Sequence, residues 1–231
     1  SSGGTYKEIK RLGFKCKNVS SFTEFPEILD GRVKTLHPKI HAGILNKRSK
    51  KSHKLEMKSS NFENIDLVIV NFYPFEKTLI ETKNHDKIVE NIDIGGPTMV
   101  RAAAKNYNDV TVITKKNQYE DLIRELNENK GSTSFNFRQK MSEEAFTETA
   151  FYDVKITDYF LKKNKTNFPS KKVISANLIE KLRYGENPHQ SASIYSYSQS
   201  INLEQLHGKK LSYNNYNDIY AALRTSKSLP R

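Results

Sequence analysis

An α/β domain on a mostly parallel sheet, with helices flanking the strands, is the fold class this sequence predicts. Three observations carry the prediction. Ile65 to Phe72 reads Ile-Asp-Leu-Val-Ile-Val-Asn-Phe, the near-continuous apolar run of a buried parallel strand. Asp109 to Thr114 is a second such run. Helical patterns lie between and after them, as the crossovers between parallel strands require.

Taken in order, Tyr6 to Leu12 forms a short helical pattern stopped by Gly13, and Phe14 to Val19 reads as a short strand ended by Ser20-Ser21. Phe25 to Gly43 is rich in proline and glycine, which predicts a long ordered loop of the kind that tends to carry function. After the strand at Ile65–Phe72, a helical segment starts at Glu76 and is broken near Lys83-Asn84. Gln118 to Asn129 is amphipathic, with Tyr119, Leu122, Ile123 and Leu126 on one face and Gly131 beyond its end. Ser132 to Ser134 suits the cap of the longest helix, Phe135 to Lys163, whose stripe of Met141, Ala145, Tyr152, Ile156 and Tyr159 is most simply core. Lys162 to Lys172, interrupted by Pro169, reads as a linker. Two polar loops follow, Leu182–Gln190 and Gly208–Asp218, then a helix near Ile219–Ser226. This pattern divides the chain into residues 1–163, a linker at 164–177 and the start of a second α/β domain at 178–231.

A chain of 231 residues with 36% hydrophobic content has room for one α/β domain and part of another. No apolar run approaches the ~20 residues that span a bilayer, so no membrane partner is expected. The single cysteine, Cys16, excludes an internal disulfide and fits a reducing, cytoplasmic compartment. The chain opens at Ser1 without methionine, which suggests that residues precede it. Its formal charge of +12 invites a nucleic-acid reading. The lysines are spread through stretches such as Lys47–Lys58, however, which suits a solvated surface or a phosphorylated substrate better than nucleic acid.

The stretch Asp93 to Asn106 is the most suggestive. Pro97 fits a first helical turn, Gly95 and Gly96 allow close approach of a ligand, and the free N–H groups behind them favour an anion. Arg101 and Lys105 lie one turn apart on one face, an unfavourable pair unless an anion is near. An ordinary capped helix remains the plainer alternative. In the long loop, Arg32, Lys34 and Thr35 offer a bidentate cation, an amine and a hydroxyl. His37 and His41 lack a third ligand at zinc-like spacing, so no metal is expected. Asn71 and Tyr73 emerge at the carboxyl end of the best strand, where open α/β sheets place their ligands. Ser1 to Thr5 is a second candidate phosphate cradle or a plain N-cap.

Five pieces together resemble the bifunctional purine-biosynthesis family that combines IMP cyclohydrolase with AICAR formyltransferase. They are Ser2–Thr5, Gly31–Pro38, Asn71–Phe75, Ile92–Gly96 with Arg101–Asn106, and Arg183–Gln190, in the family's order and at similar spacing. The resemblance implies a methylglyoxal-synthase-like α/β fold for the first domain and ring closure of formyl-AICAR to IMP with loss of water, by an enzyme of de novo purine biosynthesis. It implies a reactive set of Lys34, Tyr73, Asp93 and Lys105, with Lys105 held by Asp93. Ser2, Gly3, Gly4, Thr5, Arg32, Val33 and Thr35 would hold phosphate and ribose, while Asn71 and the Asp93, Ile94 and Gly95 backbone would read the base. Arg183, Tyr184 and Asn215 match positions that hold AICAR. No cofactor is implied for cyclisation; 10-formyltetrahydrofolate is the co-substrate of the formyltransferase, whose Lys-His pair lies beyond Arg231 in the family, so formyl transfer is not expected of this chain. The family's first strand and phosphate loop would precede Ser1, and a homodimer is implied. Two rivals stay in view: a methylglyoxal-synthase-like lyase or regulatory phosphate-binding domain, and a basic RNA-binding protein.

Overall fold

The computed structural model describes residues 1, 3–197 and 203–229. It divides into two compact units, Ser1–Phe168 and Pro169–Arg231.

The first unit opens with helix α1 (Gly3–Arg11), which buries no side chain, and α2 (Val19–Thr23). The strand expected at Phe14–Val19 does not form. A strand needs a neighbour to receive its backbone groups. Here the Ser1 N-terminus donates to the Lys17 carbonyl and the Ser1 carbonyl accepts from Val19, so the backbone is bound irregularly. The long loop gives way to α3 (Pro38–Leu45), which Pro38 starts and His37 caps by accepting the Lys39 N–H on Nδ1. The basic run Lys47–Lys58 holds α4 (Lys51–Ser59), whose one buried residue is Met57.

Strands β1 (Leu67–Ile69) and β2 (Thr111–Ile113) pair in parallel, with Leu67 opposite Thr111 and Ile69 opposite Ile113. Both are shorter than the apolar runs that announced them. β2 is wholly buried, whereas Ile69 of β1 is 48% exposed. Among the described residues β1 has no strand on its other side, so the sheet is small for its class. The break near Lys83-Asn84 separates α5 (Phe75–Glu81) from α6 (His85–Glu90), and Asn84 caps α6 by accepting the Lys87 N–H. Helix α7 (Gly95–Lys105) follows, then β2, α8 (Tyr119–Glu128) and α9 (Phe135–Lys163), which Ser134 caps through the Phe137 N–H.

The main core joins Ile40 and Ile44 of α3, Val100 and Ala102–Ala104 of α7, the strands, and Met141 and Ala145 of α9. The three alanines give α7 the slim surface against which α9 packs, and the Ser142 hydroxyl donates to the Ala104 carbonyl at 2.8 Å. Arg101 lies over the Phe146 ring, 5.6 Å from its centroid, a cation–π contact that gives it an aromatic partner within the fold. Asn106, buried at the end of α7, donates to the carbonyls of Ile44 and Asn46 at the end of α3. A second cluster packs Phe75, Ile88 and Tyr152 together, with Phe72, Ile156 and Tyr159 against them.

In the second unit β3 (Asn177–Lys181) pairs antiparallel with β4 (Ser193–Ser196), with an irregularity between Leu178 and Glu180. Helix α10 (Tyr213–Ser228) begins earlier than its apolar pattern suggested. The reason is a capping box: Ser212 accepts the Asn215 N–H on its hydroxyl, and Asn215 Oδ1 accepts the Ser212 N–H.

Candidate functional site

The long loop and the glycine turn meet. The backbone from Leu29 through Gly31 turns through three successive left-handed residues, with φ of 53°, 53° and 87°. Glycine adopts this region freely; leucine and aspartate do so only under local constraint. The turn closes with a bridge between Ile28 and Val33 and brings the Lys34 amine back over Gly31, where it pairs with Glu27 at 3.0 Å. Arg32 points the other way and forms an exposed pair with Glu90, at the end of α6. Thr35 then lies directly against Gly95, so that a Cβ at Gly95 would run into its hydroxyl. This contact joins the two segments and explains why a glycine stands there.

Asp93 sits two residues before α7. Its Oδ1 accepts the Gly96 N–H at 2.9 Å, and a Cβ at Gly96 would strike the carboxylate. Burial pushes the Asp93 carboxyl up from its ordinary value, opposed by the N–H groups of Gly96 and Tyr73. The Asp93 N–H donates to the Tyr152 hydroxyl at 2.8 Å. Tyr73 follows β1 with its ring 62% exposed, and Asn71 donates to the Tyr119 hydroxyl at 2.8 Å. Thr35, Gly95, Asp93 and the Tyr73 backbone are thus linked through successive contacts along the turn, and Lys34 is joined to them only as the chain neighbour of Thr35.

Lys105 is not part of this group. It is the last residue of the 11-residue α7, so roughly 15 Å of helix axis separates it from the Asp93 turn. A lysine side chain cannot bridge that, and among the described residues no ion pair to Lys105 forms. The expected Asp93–Lys105 pair is therefore corrected: the neighbours of Asp93 are Gly96, Tyr73 and Tyr152. Ser2 lies outside the described residues. Gly3, Gly4 and Thr5 form the exposed first turn of α1, and among the described residues no hydrogen bond or ion pair ties them to the Arg32–Thr35 loop.

Glu27, Glu90, Tyr119 and Tyr152 are the groups that sequence reasoning missed. His41, weighed in the sequence only as a metal ligand, is half-buried: burial lowers its imidazole, a bond to the Thr35 backbone raises it, and its Nε2 is buried without a partner among the described residues. A half-buried carboxyl whose pKa burial raises is suited to give and take protons at a bound ligand.

In the second unit the Leu182–Gln190 loop folds on itself. Gly185 donates to the Gln190 carbonyl at 2.7 Å, and Asn187 to its side chain at 2.9 Å. Arg183 stacks on Tyr184 and donates to its hydroxyl; a bond with Ser212 and then this one lower the phenol. A cavity of about 340 Å³ opens between Gly185, Glu186, Gln190, Ser191, Ala192 and Tyr213.

Residues 103–230 match the family model described as AICARFT/IMPCHase bienzyme, and residues 1–98 match an MGS-like domain. The seam between the two matches falls inside α7, not at the structural division after Phe168. The bifunctional purine biosynthesis protein PurH of Prochlorococcus marinus is 49% identical over 227 residues, covering 97% of this chain and 43% of that protein. PurH of Bradyrhizobium diazoefficiens is 46% identical over 226 residues, with 96% and 43% covered. PurH of Clostridioides difficile is 45% identical over 231 residues, with 98% and 45% covered. The chain therefore spans less than half the length of the curated relatives it matches. A solved structure titled "Crystal structure of ForH" superposes with a TM-score of 0.61 at 29% identity, covering 69% of this chain and 82% of that one.

Proposed function

This chain belongs to the AICARFT/IMPCHase bienzyme family, and from that premise we propose that its first unit is an IMP cyclohydrolase of purine biosynthesis, acting on formyl-AICAR. The observation that supports this best is the junction of Thr35 with Gly95 beside a held carboxyl, Asp93, and an exposed phenol, Tyr73. In the reaction the carboxamide nitrogen bonds to the formyl carbon of the same molecule, and the formyl oxygen leaves as water. Both reacting groups are on one substrate, so holding them in register supplies much of the acceleration. What remains is proton traffic and stabilisation of charge on the formyl oxygen.

Asp93 takes the carboxamide proton in this reading, because it is a half-buried carboxyl held at the glycine turn and burial raises its pKa, which makes it a stronger base than a solvated carboxylate. Lys34 and Tyr73 polarise the formyl oxygen and assist its departure. Arg32, Val33 and Thr35 hold phosphate and ribose together with Ser2–Thr5, while Asn71 and the Ile94–Gly95 backbone read the base. Lys105 stays in the reacting set on resemblance alone, without Asp93 as its holder. In the second unit Arg183, Tyr184 and the Asn215 amide NH2 would hold AICAR, with 10-formyltetrahydrofolate as the co-substrate of the bienzyme's other activity. A homodimer in the cytoplasm belongs to the same reading; the unpaired Cys16 accords with a reducing compartment.

The test is turnover of formyl-AICAR by the natural full-length chain, followed by the absorbance of IMP, against dihydroxyacetone phosphate as the alternative substrate. Lys34→Ala should remove most of the activity while the fold persists. Turnover of the triose phosphate alone would favour the lyase reading. Steeply salt-dependent RNA binding that IMP does not displace would favour the nucleic-acid one.

A further inference from the structure

Tyr152 belongs to the α9 stripe that reads as core, and it is buried, only 8% exposed. Its ring lies 5.2 Å from Phe72 and 6.2 Å from Phe75, centroid to centroid, so it packs against residues on both sides of Tyr73-Pro74. Its hydroxyl accepts the Asp93 N–H at 2.8 Å. A phenylalanine would fill the same space without taking a polar oxygen out of water. The hydroxyl is therefore not explained by packing, and the one bond shown for it is to the Asp93 backbone.

The surroundings of Asp93 strengthen the point. The carboxylate receives the Gly96 and Tyr73 N–H groups, and its own N–H goes to Tyr152. Through its ring Tyr152 holds the segment that carries Tyr73, and through its oxygen it holds the turn that carries Asp93. We propose that Tyr152 is a positioning residue for the cyclohydrolase site, fixing Tyr73 and Asp93 in one relative geometry from helix α9. The assignment rests on the cyclohydrolase reading of that site.

Tyr159 supplies the control. It sits two turns further along α9 in the same aromatic cluster, with its ring 6.1 Å from Phe75. Its hydroxyl also makes a hydrogen bond, at 2.7 Å, but to His85 Nδ1 and away from Asp93. Tyr152→Phe and Tyr159→Phe each delete one bonded hydroxyl from one cluster, so a purely structural role predicts similar consequences. A positioning role predicts a split. In the natural full-length chain, Tyr152→Phe should lower kcat for formyl-AICAR cyclisation about tenfold with KM within twofold of wild type, since a small misplacement of a reacting group is costly. Tyr159→Phe should keep kcat within twofold. Equal losses in both variants, or wild-type kcat in Tyr152→Phe, would overturn the assignment. Failure of the wild-type protein to cyclise formyl-AICAR would instead remove the reading on which the assignment rests. Hydrogen exchange distinguishes the cases without turnover: the Asp93 amide should exchange faster in Tyr152→Phe and not in Tyr159→Phe, and equal protection in all three proteins would refute the contact itself.

Discussion

Gly96→Ala separates what the Asp93 turn does for the fold from what it does for the site. Gly96 is buried in the first turn of α7 without a left-handed φ, so its lack of a side chain serves space. A methyl group there would overlap the Asp93 carboxylate, whose Oδ1 accepts the Gly96 N–H. Moving the carboxylate away weakens a hydrogen bond to a charged group, which costs about 1.5–3 kcal/mol. Alanine in a helix recovers up to about 1 kcal/mol relative to glycine. The net loss is then roughly 1–2 kcal/mol, and for a unit of this size that lowers Tm by about 2–8 °C. Catalysis should suffer far more: a displacement on the order of 1 Å in a reacting group costs on the order of 100-fold in rate. Thermal melts and formyl-AICAR turnover on the same preparations measure both. A variant that melts within this range yet keeps kcat within threefold of wild type would show that the Asp93–Gly96 geometry does not serve the chemistry.

Asp93→Asn should reveal the sign of the Asp93 titration. A carboxyl whose folded pKa is raised contributes stability below its unfolded value of 3.8, and that contribution is lost as pH rises through the folded pKa. The asparagine variant lacks this loss, so its Tm relative to wild type should climb as pH rises above 3.8, while turnover is abolished; a difference that stays flat with pH would contradict the raised pKa. Asn106→Ala leaves the Ile44 and Asn46 carbonyls without their donor and should destabilise the unit by about 1–3 kcal/mol, read by chemical denaturation. Tyr119→Phe frees Asn71 while changing stability by less than about 1 kcal/mol. Its effect should instead appear by calorimetry as an IMP affinity weakened by about fivefold, the equivalent of ~1 kcal/mol.

The sequence showed those parts of the molecule whose physics is local. Apolar runs located both parallel strands, Ser134 within the expected Ser132–Ser134 cap starts the longest helix, and the break expected near Lys83-Asn84 separates α5 from α6. Strand length was not legible, because how far a pairing extends depends on a neighbour's backbone and not on the run itself. Phe14–Val19 failed for the same reason, since the N-terminus took its carbonyl and amide groups. At the site, motifs gave Thr35, Tyr73, Asp93 and Gly95, but motif spacing carries no direction in space. Asp93 and Lys105 are close in sequence and belong to one motif, yet a helix between two residues holds them apart. Glu27, Glu90, Tyr119 and Tyr152 act across separations of 7 to 59 residues and match no local pattern.

The direction of the helices refines the idea of an anion site at the glycine turn. Thr35 meets Gly95 near the starts of α3 and α7, and Asn106 ties their ends together, so the two helices run side by side in the same sense. Each start carries a partial positive charge of roughly half a unit. Most of their N–H groups are nevertheless committed or missing. Pro38 and Pro97 have none, that of Lys39 goes to His37, and that of Gly96 goes to Asp93. The nearby cations are also occupied, Lys34 by Glu27 and Arg32 by Glu90. A phosphorylated ligand entering here therefore has to exchange with a carboxylate rather than fill an empty cradle. The exposed Arg32–Glu90 pair is the cheaper exchange, because such pairs contribute only about 0–1 kcal/mol. Arg32 also offers the bidentate fork that phosphate geometry suits. Lys34, drawn in over Gly31 and only partly exposed, is harder to release.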